Sequence, residues 1–413
     1  MASDLHRTAT TVYLCCVPAL EDSTGAGRVG LAGANIQSFC IFAKVIANCK
    51  IQLYIVITIN TIMKKHNLLA FILLGAAAMS CDGGKNSQKN LFKLDTTGLK
   101  QLYHPNETFP LGIENPKNAT IDSVIYYIND TKVGSVTGNT KLDFKFENEK
   151  FGYKNIKALV YSDGDNSEVT GRVELGSGVT PTKLEYELVN TYPHDMQAYT
   201  QGLEFYRDTL IESTGRRGLS TLRKTNYKTG EVYKKTELEG KYFGEGITVV
   251  DNKIYMLTWQ SRTGFVFNAD TFERLEEFKY FKEIEGWGLT HDDDKYIYMS
   301  DGTEKIWKLD PKTLKEVDYV NVYTTNSKIK SVNELEWIEG KIYGNVYQTD
   351  GIAVIDPATG AVEHILDISP LKKQVTMHPD MDVLNGIAYN PKTKTIFITG
   401  KNWDKMFEIR VKQ

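Results

Sequence analysis

The sequence predicts an all-β protein, a five-bladed β-propeller preceded by a small immunoglobulin-like β-sandwich. Three observations support this. Five strings of one pattern recur in residues 183–413, a second apolar strand follows each string, and apolar and polar positions alternate between turn signals in residues 99–178. The composition fits a globular chain: of 413 residues 41% are hydrophobic, and 49 Lys and Arg stand against 52 Asp and Glu for a net charge of −3. That balance excludes a disordered chain, a multi-span membrane protein and a dedicated nucleic-acid binder, so no nucleic-acid partner is expected.

The repeated strings are Gln201-Gly-Leu-Glu-Phe, Glu245-Gly-Ile-Thr-Val, Trp287-Gly-Leu-Thr-His, Asn333-Glu-Leu-Glu-Trp and Asn385-Gly-Ile-Ala-Tyr, starting 44, 42, 46 and 52 residues apart. The strands that follow begin at Leu210, Ile254, Ile297, Ile342 and Ile396, and most units then show a third strand and a turn, as in Val354-Ile-Asp-Pro-Ala-Thr-Gly360. Four strands per period of about 40 to 50 residues is the signature of a propeller blade. The last unit stops after its third strand, 406–411, while an unassigned strand, 184–189, precedes the first repeat. An open sheet edge invites aggregation, so the early strand is expected to complete the last blade.

In the sandwich region Leu142, Phe144 and Phe146 alternate with polar residues, as do Ile156, Ala158 and Val160, and Asp163-Gly-Asp-Asn166 reads as a hairpin turn. No catalytic constellation appears there, which fits a spacer or docking module.

Upstream, Met63 opens a basic head (Lys64, Lys65), an apolar run over 68–74, then small residues ending in Ala78-Met-Ser-Cys81. This is the order of a secretory signal, and its end resembles a bacterial lipobox in which Cys81 becomes the lipid-bearing first residue. Residues 1–62 hold four of the five cysteines and would leave the signal where it cannot act; we read them as a spurious upstream extension. The signal peptide is then 63–81 and a polar, Gly-rich flexible tether 82–98. The expected location is the bacterial cell envelope, periplasmic or outer-membrane, with the lipid on Cys81 as the membrane contact. No cysteine follows Cys81, so a disulfide or thiolate metal site is excluded from the folded body.

The innermost strands of a propeller line a channel, and their first residues gather at one mouth. Here those residues are Gln201, Glu245, Trp287, Asn333 and Asn385, and the second strands end near Trp259, Tyr347 and Lys401. A ring of carboxylate, amides, ammonium and aromatics exceeds what a structural channel needs. GxSxG, HExxH, CxxC and Walker motifs are absent, and His291-Asp-Asp-Asp294 reads as a solvated turn. No metal is expected in the chemistry and no cofactor is required, while a structural calcium held by backbone carbonyls stays open.

Tyr199-Thr-Gln-Gly-Leu, Glu212-Ser-Thr-Gly, Phe243-Gly-Glu-Gly-Ile, Leu257-Thr-Trp, Gly286-Trp-Gly-Leu-Thr, Ser300-Asp-Gly, Asn333-Glu-Leu-Glu, Leu384-Asn-Gly-Ile-Ala and Thr399-Gly-Lys together resemble the plant and bacterial type of glutaminyl-peptide cyclotransferase. The resemblance spans about 184–413. It implies a five-bladed propeller enzyme, an aminoacyltransferase that converts N-terminal glutamine of peptides or proteins to pyroglutamate with release of ammonia. By the same resemblance the acid/base glutamate falls on Glu245, the pocket amides and lysine on Gln201, Asn333 and Lys401, and the aromatic wall on Tyr199, Phe243, Trp259 and Trp287. Gly344-Asn-Val-Tyr347 places a tyrosine where the family usually has tryptophan.

The chemistry fits these residue types independently. A free α-amine has a pKa near ~8, so most of it is protonated at neutral pH. A carboxyl group raised by an apolar wall can take the amine's proton and pass one to the departing ammonia. Asn333 and Lys401 are candidate donors to the oxyanion, and the rings would hold the substrate folded. The alternative is a non-catalytic propeller that binds peptide N-termini or amines in an aromatic cage.

Overall fold

The computed structural model describes residues 91–412. The upstream extension, the signal segment with Cys81 and residues 82–90 of the tether lie outside the described residues. Among those described, the chain is all-β apart from one short helix, Ser369–Lys372.

The N-terminal part buries one face of a twisted sheet. Ser123–Ile128, Gly152–Ser162 and Asp165–Leu175 are its central strands, Thr131–Thr137 lies on one edge, and Leu102–Tyr103 runs parallel on the other. Val124, Tyr126, Ile156, Ala158 and Val160 alternate inward and are buried, as a period of two requires. The hairpin after Ser162 turns at Asp163 and Gly164, both at positive φ (51° and 77°), which matches the twist of the flanking strands. Thr108–Leu111 pairs with Leu142–Lys145 and brings Phe109 and Leu111 onto the same core.

The expected tether is corrected here. Lys93–Leu94 pairs with Ile113–Glu114, and Phe92 and Leu94 are buried in the small domain. Phe92 and Leu94 flank an outward Lys93, so this stretch carries a strand's alternation, which the Gly-rich residues before it obscured.

From Tyr186 onward the described residues form five antiparallel sheets. The first runs Thr200–Tyr206, Thr209–Thr214, Thr221–Thr225, Val232–Glu237. The second runs Gly244–Val250, Lys253–Thr258, Thr263–Asn268, Arg274–Lys279, and the third Leu289–His291, Ile297–Ser300, Lys305–Leu309, Glu316–Asn321. The fourth is Val332–Ile338, Lys341–Val346, Gly351–Ile355 and Val362–Asp367. Leu384–Asn390, Thr395–Gly400 and Lys405–Val411 make the fifth, and Tyr186–Pro193 pairs antiparallel with Lys405–Val411 to complete it. The early strand therefore sits where the edge argument put it, shifted toward Pro193. A parallel pair unforeseen from sequence, Thr182–Lys183 with His364–Ile365, also covers the outer edge of the fourth sheet.

First strands of successive sheets pack side by side, and the fifth packs against the first, closing a ring. Apolar side chains fill the gaps between sheets: Ile211, Leu222, Ile247, Met256 and Phe265 in one cluster, Val322, Val332, Leu335 and Ile342 in another. Each such buried side chain stabilises by about 1.5 to 3 kcal/mol, so packing between faces holds the ring. The small domain grips the segment after the third sheet. Tyr323 is fully buried in its core and donates to Glu174 at 2.6 Å, and Asn321 Nδ2 donates to the Phe151 carbonyl at 2.5 Å.

Candidate functional site

The repeat strings set the geometry of the ring's mouth. Pairing between first and second strands shifts register between Thr200 and Gly202, Gly244 and Ile247, Val332 and Leu335, and Leu384 and Ile387. These irregularities fall on Gln201, Glu245, Asn333 and Asn385, and a bulge of this kind re-aims the extra side chain. The glycine that follows most of these residues permits close approach of the next inner strand. A Cβ on Gly246 would lie 2.6 Å from the Gly288 Cα, and one on Gly288 2.0 Å from the Asn333 carbonyl. The fourth repeat has Glu334 instead, whose two oxygens accept the Leu203 and Ile387 N–H groups at 3.2 and 2.9 Å. It ties three inner strands together across the ring.

A cavity of about 260 Å³ opens at this mouth. Gln201, Glu245, Asn333 and Lys401 form its buried floor, each 5% exposed or less. Tyr199, Phe243, Trp259, Trp287 and Tyr347 form its half-buried walls. Edge-on contacts link Tyr199 to Phe243, Phe243 to Trp259, and Trp287 to Tyr347, at ring-centre distances of 6.1, 5.6 and 5.8 Å. Asn385 is the sequence-predicted residue that does not line the cavity. It is fully buried behind the floor, and its Nδ2 donates to Gln201 Oε1 at 3.1 Å and to the Thr200 carbonyl at 3.0 Å. Its side chain supports Gln201 and does not itself line the cavity.

Electrostatics mark Glu245. Gln201 Nε2 donates to its Oε1 at 3.0 Å. Burial pushes its carboxyl well above the usual range, Lys401 pulls it back, and Glu285 adds to the rise. Burial lowers the Lys401 ammonium in turn, against the pull of Glu245 and Asp382. That ammonium lies 4.9 Å from the Tyr199 ring centre and 5.3 Å from that of Tyr347. Asn333 Oδ1 is buried with no hydrogen-bond partner, an arrangement costing about 1 to 3 kcal/mol unless a guest donates to it.

Several contributors were not foreseen. Glu285 accepts the indole N–H of Trp259 at 2.7 Å and of Trp287 at 2.9 Å. Asp382 accepts the Tyr199 hydroxyl at 2.8 Å. Gly215 and Gly302 are seats for the walls: a Cβ would meet the Phe243 ring at 2.3 Å and the Trp287 ring at 2.5 Å respectively. Both glycines lie just past strand ends, in the strings Glu212-Ser-Thr-Gly and Ser300-Asp-Gly. His291-Asp-Asp-Asp294 forms a turn, but Asp292 is buried, not solvated, and accepts from Tyr296 N–H and the Tyr298 hydroxyl. Among the described residues no three His, Cys, Asp or Glu side chains are grouped to hold a metal ion.

Three comparisons bear on this site. The family model described as glutamine cyclotransferase matches residues 157–411. A glutaminyl-peptide cyclotransferase of Arabidopsis thaliana is 37% identical over 232 residues, covering 55% of this chain and 72% of the plant protein. The crystal structure of Myxococcus xanthus glutaminyl cyclase is similar with a TM-score of 0.52 at 32% identity, over 56% of this chain and 98% of that one.

Proposed function

The chain belongs to the glutamine cyclotransferase family, and from that premise we propose that Glu245 carries both proton transfers of its reaction. The protein converts N-terminal glutamine to pyroglutamate with release of ammonia. The α-nitrogen attacks the side-chain carboxamide carbon, a C–N bond forms, the bond to the amide nitrogen breaks, and one proton passes from the α-nitrogen to the leaving nitrogen. Atoms balance with no water consumed and no cofactor.

The observation that carries the assignment is a buried carboxyl, raised above its ordinary range, at the floor of an aromatic-walled cavity. Such a group holds its proton more tightly than an exposed carboxyl and is suited to taking a proton from one nitrogen and giving one to another. Gln201, braced by Asn385, fixes its orientation. Lys401 is the donor for the oxyanion on the attacked carbonyl. Asn333 was expected to share that task, but its unpartnered Oδ1 suits the N–H of the departing amide better. The rings of Tyr199, Phe243, Trp259, Trp287 and Tyr347 hold the short chain folded on itself, which supplies proximity. An aromatic cage for amines would need no such floor of carboxyl, amide and ammonium.

The same reading extends to the architecture: the five sheets are the blades of a five-bladed propeller, and the small domain is immunoglobulin-like. We also place the protein in the bacterial cell envelope, lipid-anchored through Cys81, and independent of metal for chemistry.

The roles separate in steady-state kinetics with a Gln-initiated peptide. Lys401→Met should lower kcat with little change in KM, whereas Trp287→Ala should raise KM as well as lower kcat. A Lys401→Met protein with unchanged kcat would remove Lys401 from the oxyanion site.

A further inference from the structure

The rim of the cavity holds a carboxylate that the proton transfers do not use. Glu285 lies two residues before Trp287, in the connection to the third sheet. Its Oε2 accepts both indole N–H groups, from Trp259 at 2.7 Å and Trp287 at 2.9 Å, and its Oε1 accepts from Gln260 Nε2 at 3.2 Å. The two indoles come from different sheets, so this side chain joins two walls of the cavity. A carboxylate drawing on two indole N–H groups makes strong, charge-assisted bonds and enriches the ring faces in negative charge, which favours a cation lying on them.

We propose that Glu285 is a positioning residue for this reaction, clamping Trp259 and Trp287 around the substrate's α-amino nitrogen and holding a negative charge at the rim of the cavity that Glu245 floors. The proposal rests on the reading of Glu245 as the acid/base group. Burial opposes ionisation of Glu285, but the bonds from Trp287, Trp259 and Gln260 outweigh it and hold its carboxyl below the usual range. Its charge then acts on Glu245 against Lys401. The other groups facing this pair are the Tyr280 phenol, beside Glu245, Asp382, beside Lys401, and Arg217, whose guanidinium lies 5.7 Å from the Trp259 ring. The local backbone is braced independently of Glu285. Tyr280 binds Thr258 N–H and carbonyl at 2.8 and 2.9 Å, and Gly286 packs so closely that a Cβ would lie 2.3 Å from the Tyr280 hydroxyl. Substitution at 285 should therefore leave the fold intact.

The experiment is the pH dependence of kcat/KM for a Gln-initiated peptide, with full-chain Glu285→Gln and Glu285→Ala beside the unaltered protein. Glu285→Gln keeps an oxygen for the indoles and removes the charge, so Glu245 ionises more easily and the acid limb should move to lower pH. Glu285→Ala should also raise KM by roughly tenfold or more and shift tryptophan emission, as both indoles lose their acceptor. An acid limb unmoved in Glu285→Gln would overturn the proposal, as would wild-type KM in Glu285→Ala, whatever happens to the melting temperature. Failure of the Glu245 reading would show separately, as ammonia release retained in Glu245→Gln.

Discussion

Gly302→Ala separates wall geometry from proton transfer. Gly302 ends the turn after Asp301 with φ +78°, and a Cβ there would lie 2.5 Å from Cζ2 and 2.6 Å from Cε2 of Trp287. Carbon atoms settle at about 3.5 to 4.0 Å, so the indole has to move by about 1 Å, which also strains its bond to Glu285. The left-handed backbone adds about 1 to 2 kcal/mol for any residue with a Cβ. Together these should lower the melting temperature by roughly 3 to 10 °C for a body of this size. A misplacement of about 1 Å costs up to 10²-fold in rate, so kcat/KM should fall by roughly ten- to hundredfold. Gly340→Ala is the control: its φ is +86° with nothing within 4 Å of the added carbon. It should lose stability from the backbone alone and keep wild-type kinetics. Ammonia release read against peptide concentration, with melting followed by circular dichroism, decides the matter. Equal kinetics in Gly302→Ala and Gly340→Ala would refute the seating of Trp287 by Gly302.

Two further outcomes follow from burial. The Glu245 carboxyl is raised in the folded state above its unfolded value, so between those two values the fold loses stability as pH rises, and glutamine at 245 removes the loss. The melting temperature of Glu245→Gln should match the unaltered protein near pH ~4 and exceed it progressively toward neutral pH, by calorimetry; a constant difference across that range would contradict the buried-carboxyl picture. Residues 183–413 expressed alone should form the five sheets, yet melt lower than 91–413, because removing the small domain exposes Tyr323 and strips Asn321 and Tyr323 of their partners. Equal melting temperatures would show that the small domain contributes nothing to the ring.

Much of this was legible because five strings of one pattern open the inner strands. Their first residues include Gln201, Glu245 and Asn385, and spacing assigned each to its own inner strand. Depth was not legible: Asn385 and Gln201 occupy the same repeat position, yet one stands behind the other. The fourth repeat broke the pattern with Glu334, and sequence gave no hint that its carboxyl would bind two backbone N–H groups across the ring. Glu285 and Asp382 escaped notice since each bonds an aromatic side chain of the wall, at positions outside the repeats. The strand at Lys93–Leu94 was hidden by its brevity and by the polar, Gly-rich residues ahead of it.

The most direct measurement compares ammonia release from a Gln-initiated peptide by the unaltered protein and by Glu245→Gln, at saturating peptide and neutral pH, with peptide affinity measured in parallel. Glutamine preserves size and the contact with Gln201 but exchanges no proton. If Glu245 moves both protons, turnover falls by roughly 10²- to 10⁴-fold while affinity changes little, since the rings and not the carboxyl supply most of the contact. Near-normal ammonia release from Glu245→Gln would contradict it, and the proton would have to travel through another group of the cavity floor.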